Sequence, residues 1–291
     1  MAPPTRTTTS APAAGRVRVR LDLSYDGGGF AGWALQPGQR TVQGVLEQAL
    51  EVLVPRVGPL TVAGRTDAGV HATGQVAHAD LPAQAWAAIE DLRARLCGLL
   101  PHDVRVRKAR EVPAAFDARF AALWRCYVYR ISDAPWGVEP LRRHDTLHWR
   151  RSLDAAAMQR AGTALLGIHD FAAYCQRRDN ATTIRDLQQL TVDRCGNLLE
   201  VHVQADAFCH SMVRSLVGAL LAVGEGRRSP DWPASLLTLP TRAGDVQVAP
   251  AHGLTLVEVG YPPDDQLAGR TGVTRAVRDP RDAAERPRES A

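Results

Sequence analysis

The sequence predicts an α+β fold with two similar halves, each a mainly antiparallel sheet with helices, on either side of a central cleft. Several short segments alternate apolar and polar residues, which is typical of half-buried strands. Segments with apolar residues at helical spacing lie between them. Consecutive strand-like segments are joined by short turns, as at residues 195–197, so hairpin pairing outweighs parallel crossovers.

The first half is predicted to span residues 16–113. At its start, valines and leucines alternate with arginines, as expected of a half-buried strand. Further on, apolar residues recur at helical spacing directly after Thr41, whose hydroxyl is suited to cap a helix. The predicted elements are a strand at 17–25, a helix at 42–53, a helix at 83–99 and a strand at 104–111.

The second half, residues 114–263, repeats this scheme. Ser152 is predicted to cap its first helix, and Gly224 to end its second, strongly apolar helix. The predicted elements are a strand at 123–132, a helix at 153–166, a hairpin of strands at 184–193 and 198–205, a helix at 212–223 and a strand at 255–261.

The two ends, residues 1–15 and 264–291, are predicted to be disordered extensions. The first lacks the apolar core of a signal peptide, and the second carries six arginines and six acids, which balance in charge. No stretch approaches the roughly 18 apolar residues of a membrane span, so we expect a cytoplasmic protein with no membrane contact. The net charge of +4 permits nucleic-acid binding without demonstrating it.

The spacing of cysteine and histidine residues argues against a metal site. The five cysteines are scattered and odd in number, which also argues against a disulfide framework. His144 and His148 are four residues apart, but no third ligand is near them in the sequence. We therefore expect a site without metal.

The most informative segment is a glycine-punctuated loop that holds one carboxylate, Asp67, between two strand-like runs. Glycines allow a bulky ligand to approach the backbone, but an Asp-x-Gly triplet alone is an ordinary turn. The complete string is Gly64-Arg65-Thr66-Asp67-Ala68-Gly69-Val70-His71. It resembles the active-site signature of the tRNA pseudouridine synthase A family.

Further blocks resemble the same family, in the family's order, across residues 16–263. They are Leu23–Trp33 with Thr41–Gln43, Phe116–Phe120 with the strand that contains Tyr127, Ala207–Gly218, and Ala251–Leu254 with Tyr261–Pro262. The resemblance implies a pseudouridine synthase fold and an isomerase that converts uridine to pseudouridine at tRNA positions 38, 39 and 40, in the anticodon arm. It also implies a homodimer that needs no cofactor.

The reaction breaks the N1–C1′ bond of uridine, turns the base and joins C5 to C1′, so it requires a carboxylate near the reacting atoms. Asp67 is the only acid in the signature and matches the family's catalytic aspartate. Attack at C6 of the base and attack at C1′ both remain open.

Three more residues are assigned by the resemblance. Tyr127 matches a tyrosine that contacts the substrate, although a Tyr-x-Tyr strand more often only packs a sheet. Arg65 matches a residue beside the flipped nucleotide. Arg214, in an apolar helix, needs a partner; Asp206 is a structural candidate, whereas the resemblance pairs Arg214 with Asp67. His71 and His78 are expected to support the loop only.

Two other functions remain possible at this point. One is a catalytically silent tRNA-binding or folding protein on the same scaffold, against which the joint presence of Asp67, Tyr127 and Arg214 argues. The other is a nucleoside hydrolase, which usually requires a metal or clustered acids that the sequence does not display.

Overall fold

A computed structural model describes residues 11–54, 57–176 and 182–267 of the chain. The strands in chain order are β1 (Arg16–Tyr25), β2 (Thr61–Val62), β3 (His71–Pro82), β4 (Val104–Val112), β5 (Trp124–Ser132), β6 (Leu147–His148), β7 (Gly167–Asp170), β8 (Ile184–Cys195), β9 (Leu198–Ala205) and β10 (Leu254–Gly260). The helices are α1 (Val42–Leu53), α2 (Ala83–Ala88), α3 (Leu92–Leu99), α4 (Ala155–Thr163), α5 (Met212–Gly224) and α6 (Trp232–Ser235).

All ten strands belong to one sheet with the main order β4-β1-β3-β10-β5-β9-β8-β7. Its pairs are antiparallel except β10 with β3 and β5 with β6. The α+β prediction with a mainly antiparallel sheet is therefore confirmed.

The two predicted halves share this sheet, because β10, from the end of the chain, pairs with β3 on one side and β5 on the other. Residues that follow the predicted boundary at 113 also pack back on the first half. Arg18 donates from Nη1 to the carbonyls of Ala114 and Phe116, at 2.9 and 2.8 Å. The halves are thus joined through backbone pairing near the centre of the sheet.

Alternation along the strands decides which sheet face is buried. Val19, Leu21 and Leu23 of β1 are buried, and so are Leu199, Val201 and Val203 of β9. At the two ends of the sheet α3 packs near β4 and α4 near β8, while α5 packs against α4. α5 is the most apolar helix, and every residue from Ser215 to Gly224 is buried, which explains why its polar residues are confined to its beginning.

Most predicted elements are present within one or two residues. Thr41 caps α1 as predicted, since its hydroxyl accepts a hydrogen bond from the Gly44 N–H at 3.2 Å. The single helix predicted at 83–99 is wrong: the chain is extended at Ile89, and Asp91 caps a new helix. The cap predicted at Ser152 is also wrong, because Asp154 accepts from the Ala157 N–H at 2.9 Å and α4 begins later.

The predicted ends of the chain need two corrections. Residues 264–266, predicted to belong to a disordered tail, form a short 3-10 turn, and Leu267 is fully buried. At the other end Gly15 accepts a hydrogen bond from the Ala83 N–H at 2.9 Å, so the last residues of the predicted extension are ordered. Residues 1–10 and 268–291 lie outside the described part. Within the described residues, no helix is long and apolar enough to cross a membrane.

Candidate active site

Asp67 lies on the loop that joins β2 to β3, and its carboxylate is 28% exposed. The backbone on both sides of it is tied to the segment that follows β1. Thr66 accepts from the Trp33 N–H at 3.0 Å, and the Gly69 N–H donates to Phe30 at 3.3 Å. Gly32 makes this approach possible, because it has φ +100 and a Cβ there would lie 2.9 Å from the Thr66 oxygen.

A buried hydrogen-bond chain supports the same loop from the sheet. The Tyr25 hydroxyl is 2.9 Å from the Thr66 hydroxyl, and Gln75 donates from Nε2 to Tyr25 Oη at 3.1 Å and to the Gly64 carbonyl at 2.8 Å. Burial raises the pKa of Tyr25 to about 12, against the opposing effect of both hydrogen bonds. The phenol therefore remains a neutral link that fixes the loop.

His71 and His78 are placed as supporting residues. His71 accepts at Nδ1 from the Gly27 N–H at 3.0 Å, while its Nε2 is 3.1 Å from the His252 carbonyl. His78 accepts at Nδ1 from the Ala118 N–H at 3.0 Å. Burial, reinforced by the charge of Arg18, lowers the pKa of His78 to about 4, so this imidazole is neutral in the folded protein at pH 7.

The opposite wall of the site is the beginning of α5. Arg214 donates from Nε to the Ala249 carbonyl at 2.7 Å, which fixes its guanidinium group. Its Nη1 lies 3.7 Å from Asp67 Oδ2. Of the two partners considered from the sequence, Asp67 is the one beside Arg214, whereas Asp206 accepts from the Asp186 N–H at 2.9 Å.

Two polar groups that sequence reasoning missed also face Asp67. His210 Nε2 lies 3.4 Å from Asp67 Oδ1, and Ser211 donates from Oγ to Asp67 Oδ2 at 3.5 Å. Ser211 has φ 62, the only positive φ outside glycine among the described residues, and such strain is common at functional sites. His210 precedes Arg214 by four positions, a helix-like spacing that could have suggested a shared face.

The carboxylate thus has three polar side-chain atoms around it at 3.4–3.7 Å, longer than good hydrogen bonds. These contacts do not bind its lone pairs tightly. Such a carboxylate can attack an electrophilic carbon or remove a proton.

Tyr127 lies on β5, only 8% exposed, with its ring edge-on to Phe208 at 5.2 Å between centroids. Gly64, on the catalytic loop, faces it: a Cβ there would lie 3.9 Å from the Tyr127 hydroxyl oxygen. Burial raises the pKa of Tyr127, with smaller effects from Tyr25, Arg125 and Asp67. The structure therefore brings Tyr127 next to the loop, but a base stacked on the ring would have to displace a neighbour.

Arg65 is exposed, and its side chain makes no hydrogen bond or ion pair with the part of the chain that the structure describes. It lies two residues from Asp67 but is not held by the site in this state. Of the four residues named from the sequence, the structure brings Asp67 and Arg214 into contact, places Tyr127 beside them, and leaves Arg65 without a partner among the described residues.

The cysteine interpretation is wrong in one respect. Cys175 and Cys209 form a disulfide, with Cα atoms 5.8 Å apart. Their separation of 34 residues hid this pairing in the sequence. Cys209 immediately precedes His210, so the bond ties the segment 207–211 to the turn at Ala172–Tyr174. Within the described residues, no group of three or more potential ligands could hold a metal ion.

Comparison with known proteins identifies relatives of the chain. A family model described as tRNA pseudouridine synthase matches residues 161–262. A Frankia casuarinae protein named tRNA pseudouridine synthase A is 61% identical over 91% of this chain and 97% of its own length.

Proteins with the same name from Streptomyces griseus and Mycobacterium leprae are 55% and 51% identical. They cover 91% and 90% of this chain, and 95% and 96% of their own lengths. The match therefore includes the Asp67 loop as well as the second half, which the family model covers only from residue 161.

Proposed function

Since the chain belongs to the tRNA pseudouridine synthase A family and is an isomerase that forms pseudouridine in tRNA, we propose that its targets are uridines 38, 39 and 40 of the anticodon arm. This proposal rests on the resemblance of the signature that surrounds Asp67. It also includes a homodimeric, cytoplasmic enzyme that needs neither metal nor cofactor for the isomerisation.

Asp67 is the proposed nucleophile. The observation that carries this assignment is the pairing of its carboxylate with Arg214 at 3.7 Å on a loop that is fixed on both sides. Arg214 places a cation beside the carboxylate, and the rigid loop fixes the position of both oxygens. The exposed surface of Asp67, 28%, is where C1′ of the sugar or C6 of the base can reach it.

Tyr127 and Arg65 are the proposed contacts to RNA. Tyr127 offers the flipped uracil an aromatic surface, once the edge-on contact with Phe208 has opened. Arg65 has a long, unpaired cationic side chain within the described structure, which suits the gap that the flipped nucleotide leaves in the stack. Removing a base from the stack costs a few kcal/mol, about what one stacking contact returns.

The test is Asp67→Asn, with Asp193→Asn as a matched control on an exposed carboxylate in β8. We expect the Asp67→Asn enzyme to retain its fold and tRNA affinity but to lose pseudouridine formation, because an amide is a poor nucleophile. Pseudouridine is measured by nucleoside analysis of the digested tRNA. Turnover within tenfold of wild type would remove Asp67 from this role.

The choice of uridines is tested separately. Three tRNA transcripts, each with a single uridine at 38, 39 or 40 and cytidine at the other two positions, should all be modified at that uridine. A fourth transcript with cytidine at all three positions should remain unmodified. Modification of the fourth transcript would contradict the proposed target region without affecting the assignment of the reaction.

The homodimer is tested by the sedimentation of the purified full chain. A monomer at the concentrations used in the assay would contradict it.

A further inference from the structure

Pseudouridine formation requires a group that moves a proton. When C5 of the turned uracil bonds to C1′, C5 carries both the sugar and its original hydrogen. That proton must leave, and N1, freed from the sugar, must gain one. A positioned acid–base group contributes about a hundredfold or more to such a transfer.

None of the residues named from the sequence suits this task. Arg214 is permanently charged and accepts no proton. Asp67 is engaged with the substrate as the proposed nucleophile. Tyr127 is buried, and burial raises the pKa of its phenol, which makes the phenolate a rare species. The negative charge of Asp67 raises this pKa further.

His210 is different in its placement and chemistry. Its Nε2 is 3.4 Å from Asp67 Oδ1, so a substrate held at that carboxylate lies next to the imidazole ring. The His210 side chain is 28% exposed, so a bound nucleotide can reach it. Imidazole is the side chain that exchanges protons most readily near neutral pH.

The imidazole is also held in position. The His210 carbonyl accepts from the Gln176 N–H at 3.2 Å, and its Nδ1 is 3.4 Å from the Ser211 hydroxyl. The disulfide between Cys209 and Cys175 fixes the preceding residue. Ser211 turns the chain through a left-handed conformation so that His210 and Arg214 both face Asp67.

We propose that His210 is the general base that removes the C5 proton of the rejoined base and returns a proton to N1. This role rests on the proposed reaction at Asp67.

The step balances without any additional reagent. Along the C1′ route, Asp67 bonds to C1′ and the N1–C1′ electron pair leaves with uracil; C5 then bonds to C1′ as the Asp67–C1′ bond breaks and the electron pair of that bond returns to the carboxylate. The C5 proton moves to Nε2 of neutral His210, and the electron pair of the C5–H bond restores the C5–C6 double bond. N1 is left with a lone pair, which takes a proton from the imidazolium. His210 is neutral again, and Asp67 and Arg214 retain opposite charges beside it.

The test compares His210→Gln with Tyr127→Phe and uses tRNA with protium or deuterium at C5 of the target uridine. The glutamine side chain retains an amide that can hydrogen bond to Asp67 but cannot carry the proton. We expect single-turnover rates to fall at least about a hundredfold and a deuterium isotope effect on product formation to appear, because proton removal becomes limiting. His102→Gln, an exposed histidine beside Arg105, is the matched control and should behave as wild type.

Tyr127→Phe should show no such isotope effect, whatever its rate. A merely structural role for His210 would lower the rate without generating an isotope effect, and that result overturns the proposal. An isotope effect in Tyr127→Phe but not in His210→Gln overturns it as well. His210→Asn serves as a second variant if His210→Gln melts at a lower temperature than wild type. A wild-type enzyme that makes no pseudouridine would refute the proposed function instead.

Discussion

Gly218→Ala should destabilise the protein and slow it, because Gly218 is where α5 contacts the segment before β10. A Cβ on Gly218 would lie 1.7 Å from the Gln247 carbonyl oxygen, whereas such contacts are essentially never below 3.0 Å. The backbone segments must therefore separate by about 1.3 Å or more, since a backbone oxygen cannot rotate away as a side chain does.

The magnitude follows from this overlap. Overpacking costs about 1–3 kcal/mol when side chains absorb it, and a clash between two backbone segments belongs at the upper end. A loss of about 3 kcal/mol lowers the melting temperature by roughly 6–12 °C in a domain of this size.

Activity should fall for a related reason. The displaced segment is hydrogen bonded to Arg214 of α5. Arg214 Nε donates to the Ala249 carbonyl at 2.7 Å, and the Arg214 carbonyl accepts from the Ala249 N–H at 3.0 Å. Widening the 3.7 Å gap between Arg214 and Asp67 by about 1 Å weakens their attraction by roughly 1 kcal/mol at an effective dielectric constant near 20. A loss of that size corresponds to a rate about fivefold lower.

The assay is thermal unfolding together with single-turnover kinetics, and Gly98→Ala is the control. Gly98 lies within α3 with open space around its Cβ position, so alanine there should stabilise the helix by about 0.5–1 kcal/mol. If Gly218→Ala melts within about 2 °C of wild type, the close approach of α5 to residue 247 is not a constraint and the reasoning fails.

Three more outcomes are expected. Tyr127→Leu should lower turnover by about tenfold or more, because it removes a stacking surface worth about 1–3 kcal/mol per base; an unchanged single-turnover rate would confine Tyr127 to packing. Burial lowers the pKa of His78 from 6.5 to about 4. Neutral His78 therefore contributes up to about 3 kcal/mol to the free energy of unfolding above pH 6.5, and this contribution is lost as the pH falls toward 4. Urea unfolding of His78→Gln between these pH values should show a flatter dependence than wild type. Truncation after Leu267 removes six arginines and four acids but no buried side chain that the structure describes, so tRNA affinity should change less than tenfold.

Local signals in the sequence predicted local structure well. Thr41 caps its helix because the hydroxyl and the N–H it binds are three residues apart. The break at Ile89 was missed because apolar spacing continues across it, and Asp91 begins a new helix only through a side-chain contact with Ala94. The pairing of β10 with β3 was also missed, since alternation reports which face of a strand is buried and not which strand lies beside it.

In the candidate site, too, the local feature was predicted from the sequence pattern and the tertiary contacts were not. Asp67 stood out because its glycine-rich loop is a contiguous pattern, whereas the Arg214 contact came from resemblance to a family. The bond between Cys175 and Cys209 depends on tertiary placement, for which neither composition nor spacing gave a signal. For His210 the only signal was its four-residue spacing from Arg214, and its contact with Asp67 depends on tertiary placement.

One buried cation links the segment that leads into the Asp67 loop to the segment that leads into His210. Arg125, on the same face of β5 as Tyr127, donates to the carbonyls of Ala63, Arg119 and Asp206 at 2.7–2.9 Å. Burial lowers the pKa of Arg125, which measures the cost of keeping this charge away from water. Ala63 precedes the Asp67 loop and Asp206 precedes the segment with His210, so a single guanidinium group ties together the two segments that carry Asp67 and His210. The two Nη atoms of its planar guanidinium group point in different directions, so one side chain bridges three separate backbone segments.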